Sequence, residues 1–317
     1  MGQELRPVFA RGIAESGRSA ILWAMQFTLP SYAKINWMLR VLGKRTDGYH
    51  ELCTVFQTVS LCDRIWFEDA QDLTLTCSDP RIPTTGENLI IKAAEMLRSA
   101  AGISKGAKLR LEKNIPSPGG LGGGSSNAAV ALIGLSRLWK ADAANLWPGI
   151  AAELGADVPF FLQGGTAAGT GRGDIIEPIG DIAADLMLIV TPNIAIPTAE
   201  IFARSGAETL TGTARNHNLS VCRTEAERLS PAATELVNDL EGIVFEGFPE
   251  VARVKSALLE LGAVNAVLCG SGASVLGVFD KQETRQTAEK ALDHESTWRK
   301  FAVSAVSRST YRDALGL

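Results

Sequence analysis

Residues 115–128 read IPSPGGLGGGSSNA, with five glycines in six positions between a prolyl lead-in and the start of an apolar helix. This run restricts the fold more than any other segment, because glycine gives up side-chain contacts and loses the most backbone freedom on folding. What it supplies is a set of bare N–H groups that can close around an anion at the positive end of a helix. The run is therefore read as a phosphate cradle. A Walker loop would need lysine and then serine or threonine after GxxxxG, whereas Gly124 is followed by Ser125 and Ser126. Nor does any start within the run place glycine at all three GxGxxG positions. A flexible linker is the plain alternative. Against it, strand-like residues 109–115 precede the run and AAVALIGLSRLW follows at 128–139, a buried-helix pattern with Ser125 or Ser126 expected as cap.

A chain of 317 residues with 46% hydrophobic content can bury a substantial core and is expected to divide into two lobes. Its net charge of −4, without long basic runs, gives no electrostatic footprint for nucleic acid. The five cysteines include no CxxC pair, which suggests neither a disulfide framework nor a zinc site and fits a reducing cytoplasm. No apolar run reaches the roughly 18 residues of a membrane span, so a protein free in solution is expected. Residues 1–26 are set apart as an extension, either a mis-called start or a disordered arm. They make a poor signal peptide, since Glu4 and Glu15 interrupt the arginines and no continuous apolar stretch follows.

Pattern and punctuation predict strands at 33–42, 54–59, 64–68 and 73–77, then a helix at 89–101. After the cradle helix comes a second helix ending at 154–157, with Pro148 in its first turn, followed by a strand and turn in VPFFLQGGTAAGTGRGD. Strand-length apolar runs at 186–191 and 263–268 and helical patterns at 251–261 and 283–294 fill a second lobe that begins near residue 173. Strands that arrive in hairpin-like groups favour an α+β layout over a doubly wound sheet.

Three further clusters carry chemistry. In AKINW, strand alternation puts Lys34 and Asn36 on one face, opposite Ile35 and Trp37. Simple solvent exposure would also account for that lysine. Downstream, GKRTDGYH turns at Asp47 and Gly48 and presents Tyr49 and His50 together, His50 being either a base-edge reader or a satisfied core residue. In GADVP, Gly155 stops a helix and Pro159 is expected to force an extended path, which fixes Asp157 in a loop. A turn aspartate is the bland reading, while a carboxylate near a lysine is what an attacking hydroxyl needs. Last, LCGSGASV reads as strand, small-residue turn and strand, where backbone can approach a ligand closely.

The order AKIN, PSPGGLGGGSSNAA, GSGAS resembles the three motifs of the galactokinase, homoserine kinase, mevalonate kinase and phosphomevalonate kinase (GHMP) superfamily, across nearly all of the chain from Phe27. Within it, GKRTDGYHEL and LGADVPFFL resemble the narrower signature of the 4-diphosphocytidyl-2-C-methyl-D-erythritol kinase family. The resemblance implies an α+β, two-lobed fold: residues 27–172 form an ATP-binding and catalytic lobe like ribosomal protein S5 domain 2, and 173–317 an α/β sandwich lobe that helps bind substrate. It implies ATP and Mg2+ as cofactors and phosphorylation of the 2-hydroxyl of a cytidine-diphosphate-linked methylerythritol. It makes Asp157 the catalytic carboxylate and Lys34 its partner. Pro116, Ser117, Pro118, Gly119, Gly120, Leu121, Gly122, Gly123, Gly124, Ser125, Ser126 and Asn127 become the nucleotide loop, with Pro118 departing from a glycine common in relatives and so removing one N–H donor. Asn36, Tyr49, His50, Thr198, Phe202, Gly270, Ser271 and Gly272 become substrate contacts, His50 reading the pyrimidine edge and Phe202 stacking on it. Whether Asp157 takes a proton or only positions the hydroxyl stays open at this level, as do the metal ligands and the oligomeric state. Another small-alcohol kinase of the superfamily, or a non-catalytic metabolite sensor on the same fold, are the alternative functions.

Overall fold

The computed structural model describes residues 26–206 and 208–317. All of the expected extension except Gln26 lies outside them. In chain order the elements are β1 (Gln26–Lys44), β2 (His50–Ala70), β3 (Leu73–Cys77), α1 (Leu89–Ala101), β4 (Gly106–Glu112), α2 (Gly123–Trp139) and α3 (Trp147–Leu154). They continue as β5 (Thr166–Gly171), β6 (Ile175–Pro178), β7 (Met187–Pro192), α4 (Thr198–Arg204), α5 (Gly212–Glu227), β8 (Val237–Asn238), α6 (Glu241–Gly247) and α7 (Pro249–Glu260). Then come β9 (Asn265–Leu268), β10 (Val275–Val278), α8 (Gln282–Ala291), β11 (Trp298–Val303) and α9 (Arg308–Leu315).

Among the described residues the strands make two sheets. The first has seven strands: the path β3-β4-β2-β1-β8, with β5 paired to β2 and β6 to β5; the second has four in the order β11-β7-β10-β9. The α+β expectation holds, and the 73–77 strand and 89–101 helix are found with those bounds. Asn88 explains the helix start: its side chain accepts from the Ile90 N–H, while left-handed Gly102 closes the other end.

The expected strands at 54–59 and 64–68 are one continuous strand. Cys62 and Asp63 pair with Tyr32 and Ser31, a register shift between Tyr32 and Ala33 absorbs Ser60 and Leu61, and Ser60 N–H donates to the Ser304 carbonyl at 2.9 Å. A lobe boundary at 173 falls in the turn between β5 and β6, and β6 still pairs into the first sheet. The chain passes to the second sheet over 179–186 instead. It later returns, because β8 pairs in parallel with β1.

Three apolar clusters order these elements as layers. Leu109, Leu132 and Phe160 belong to a core beneath α1, α2 and α3 on one face of the first sheet. Ile35, Trp37 and Val55 meet Met187, Ile189 and Leu276 between the sheets. Val251, Val254 and Leu258 of α7 cover the outer face of the second sheet with Leu188 and Val190. Strand β1 is thus buried on both faces, and its alternation sends Ile35 and Trp37 into the space between the sheets while Lys34 and Asn36 point the other way. No described helix is long and apolar enough to cross a membrane.

Candidate active site

Lys34 is 3% exposed, and a buried ammonium must find partners. Its Nζ donates to Asn36 Oδ1 at 2.9 Å and stands 3.6 Å from Asp157 Oδ2. The Asn36 amide is fixed in turn, since its Nδ2 donates to Thr54 Oγ1 at 2.8 Å and that hydroxyl donates to the Met38 carbonyl at 2.6 Å. The orientation of the Lys34 ammonium therefore follows from strand pairing between β1 and β2. Solvent exposure is excluded as its explanation.

Asp157 follows the end of α3 and precedes a 3-10 turn at Pro159–Leu162. The extended path expected from Pro159 is not taken. Val158 adopts helical angles of φ −63° and ψ −41°, although a following proline disfavours them. The coil carries Phe160 and Phe161 into the core with no exposed surface, and that burial outweighs the local preference. The carboxylate remains 34% exposed on the cleft wall.

The glycine run meets both groups. Helix α2 starts at Gly123, and left-handed Gly122 at φ 67° is its cap, with no side chain capping it. A serine cap was expected; Ser125 and Ser126 instead lie inside the first turn, because only glycine takes this left-handed entry without strain. The first-turn amides are thus uncovered by any cap side chain, as an anion site requires. Ser126 is fully buried and accepts from Ser31 Oγ at 2.8 Å, and Asn127 Nδ2 donates to Ser31 Oγ at 2.8 Å. Their side chains are committed to β1, with Asn127 also reaching Asp63 on β2, and of Ser125 and Ser126 it is Ser125 that lines the cleft.

Loop 269–274 closes the opposite wall. Ser274 N–H donates to the Gly119 carbonyl at 3.2 Å, and Asn238 Nδ2 holds the Gly270 carbonyl at 2.7 Å. A cleft of about 300 Å³ results, large enough for part of a nucleotide-sized ligand. Lys34, Asn36, Gly120, Gly122, Ser125, Asp157, Thr198, Phe202, Gly270 and Ser271 line it together. Thr198 and Ser271 share a hydrogen bond of 2.8 Å across the floor.

Other expected contacts stand around this group. Leu121 is buried and its carbonyl accepts from the Lys34 N–H at 3.0 Å, while Gly123 and Gly124 are the first residues of α2. Pro116, Ser117, Pro118 and Gly272 are not among the lining residues. His50 packs against Phe202 with ring centroids 5.6 Å apart and meets Ser205 Oγ at 3.1 Å. Burial and the nearby Lys44 charge depress its pKa below the usual imidazole range and so favour the neutral ring, which has one nitrogen to donate and one to accept. Tyr49 is 55% exposed, with the Arg172 guanidinium 4.9 Å over its ring. Arg172, Phe56 and Thr54 line the cleft and were not anticipated. For Arg172 a signal existed in GRGD, where Asp174 holds its side chain at 2.7 Å.

The chain matches the GHMP kinases N terminal domain over residues 88–165 and the GHMP kinases C terminal domain over 220–296. It is 39% identical over 289 residues to a 4-diphosphocytidyl-2-C-methyl-D-erythritol kinase of Syntrophotalea carbinolica, covering 87% of this chain and 97% of that protein. The same-named protein of Caldanaerobacter subterraneus is 38% identical over 263 residues, 82% of this chain and 90% of its own length. A crystal structure of 4-(cytidine 5'-diphospho)-2C-methyl-D-erythritol kinase superposes with a TM-score of 0.71 at 32% identity, over 88% of this chain and 99% of that one. A homoserine kinase from Cytophaga hutchinsonii, 16% identical with a TM-score of 0.64, shares the fold. With two domain models matched and relatives of this identity aligned along most of its length, the chain belongs to the 4-diphosphocytidyl-2-C-methyl-D-erythritol kinase family of the GHMP kinases.

Proposed function

We propose that the protein transfers the γ-phosphoryl group of ATP to the 2-hydroxyl of 4-(cytidine 5'-diphospho)-2-C-methyl-D-erythritol, yielding the 2-phosphate and ADP for non-mevalonate isoprenoid synthesis. The observation that carries this reading is the placement of Lys34 and Asp157, 3.6 Å apart, in one cleft with Gly120, Gly122 and Ser125. The part of the chain before the 179–186 crossing would supply the nucleotide and catalytic groups, and the part after it would complete the acceptor site through Thr198, Phe202 and the 270–272 turn. Lys34 orients the Asp157 carboxylate toward the acceptor hydroxyl, which it steers or deprotonates during in-line attack. Amides at the start of α2 meet the charge that spreads over the phosphate oxygens.

Among the described residues no group of three or more His, Cys, Asp or Glu is placed to cage a metal ion. Magnesium held mainly through nucleotide phosphates needs few protein oxygens, and the Ser125 hydroxyl on the cleft wall fits that demand. When bound it would neutralise phosphate charge. Five free cysteines fit a reducing compartment, and we place the protein in the cytoplasm.

The test is an ADP-release assay that offers the cytidyl-linked alcohol, homoserine and mevalonate side by side. Turnover restricted to the first is expected; preference for another alcohol reassigns the acceptor, and binding without turnover makes the protein a sensor. His50→Ala is expected to raise the KM of the cytidyl substrate about tenfold and that of ATP less than about twofold, because a lost recognition contact weakens ground-state binding. A rise confined to ATP would reverse the placement of the two ligands.

A further inference from the structure

Asp63 on β2 is fully buried and lies outside the cleft lining. A buried carboxylate is tolerated only when it is paired and its lone pairs are met. Here Oδ1 accepts from the backbone N–H groups of Asn114 at 2.7 Å and Ile115 at 2.8 Å. Oδ2 accepts from Lys113 Nζ at 2.9 Å and Asn127 Nδ2 at 3.0 Å. Three of these donors stand just before the glycine run and the fourth just after it. One side chain therefore closes the base of residues 116–126. Ser31 of β1 reinforces the far end through Ser126 and Asn127.

A loop this rich in glycine would sample many conformations if only its sequence neighbours held it, and ordering it would oppose nucleotide binding. Pinning both ends to one rigid strand meets that cost during folding. We propose that Asp63 is a positioning residue for the nucleotide: by tying residues 113–115 to Asn127 it sets the N–H groups of the glycine loop in their anion-binding arrangement before ATP arrives. This rests on reading the cleft as a triphosphate site. It separates Asp63 from a merely structural aspartate, whose loss would lower stability without favouring one ligand over the other.

Asp63→Asn keeps the shape and removes the charge. Whichever way the carboxamide turns, its NH2 faces two donors, either the Asn114 and Ile115 amides or Lys113 and Asn127. Calorimetric titration with magnesium and a β,γ-imido analogue of ATP, without acceptor, is expected to show affinity weakened about tenfold or more, with cytidyl-alcohol affinity within about threefold of wild type. The reciprocal pair Asp63→Asn with Asn127→Asp returns a carboxylate to the same contact and is expected to recover most of the nucleotide affinity. Asn127→Ala removes one of the four bonds, leaves Asp63 paired with Lys113, and is expected to weaken the analogue about threefold. It serves should Asp63→Asn fail to fold.

Unchanged analogue affinity in Asp63→Asn or Asn127→Ala, equal losses for both ligands, or a reciprocal pair no better than the single variant would overturn the proposal. Because the titration contains no acceptor, wild-type protein that binds the analogue but phosphorylates no cytidyl alcohol refutes the acceptor assignment, while the Asp63 comparison still decides this inference. Wild-type protein that binds no analogue refutes both.

Discussion

Asp157→Asn is expected to lower kcat by about 10²–10⁴-fold while nucleotide affinity stays within about threefold. The carboxylate is the only acidic group lining the cleft among the described residues, and it stands 3.6 Å from Lys34 Nζ. Asparagine keeps its volume and removes both the charge that holds the ammonium and the oxygen best placed to receive the hydroxyl proton. The side chain is one-third exposed, so the fold should tolerate the change. Single-turnover rates with saturating ligands isolate the chemical step. Undiminished turnover would remove Asp157 from the reaction. Since a loose phosphoryl-transfer transition state asks little of a base, a loss near the lower bound points to orientation and one near the upper bound to proton removal.

Gly120→Ala is the second large effect, and it acts through shape. Gly120 sits at φ +72°, and a Cβ there would fall 2.0 Å from the Cys269 carbonyl oxygen and 3.0 Å from that of Gly272. Both obstacles are main-chain atoms, so the glycine loop and the 269–274 loop would have to part. Left-handed strain of about 1–2 kcal/mol and overpacking of about 1–3 kcal/mol together lower stability by roughly 2–5 kcal/mol, or about 3–8 °C in Tm for a chain of this length, and nucleotide affinity should fall with it. Gly124→Ala is the internal control. Its Cβ would meet nothing closer than Leu89 Cδ1 at 3.7 Å on a helical backbone, so thermal unfolding should match or exceed wild type. Equal melting of the two variants would show that the loop contact carries no weight.

The contrast between those glycines marks where reading the sequence stops. Five glycines in six positions lead to the expectation of an anion site, but which of them face carbonyls and which face open space depends on residues about 150 positions away. Elements with local punctuation were legible to the residue, as with the 89–101 helix between Asn88 and Gly102. Lys34, Asn36 and Asp157 stood out because their motifs pair polar groups with strand or turn chemistry. Elements decided by distant contacts were not legible. Pro159 promised extension until the burial of Phe160 and Phe161 coiled it. Helix α5, polar along much of its length, showed too little apolar period to declare itself. Asp63 falls between the expected strands at 54–59 and 64–68 with nothing local to mark it, since its four donors come from segments fifty or more residues downstream.

The return of β8 to pair with β1 has a practical corollary. Cutting the backbone in the 179–186 crossing leaves one piece without the strand that completes its sheet and another whose Val237–Asn238 strand has lost its pairing partner. Such halves are suited to fragment complementation, with phosphotransfer restored only on reassembly, and unsuited to separate expression as autonomous modules.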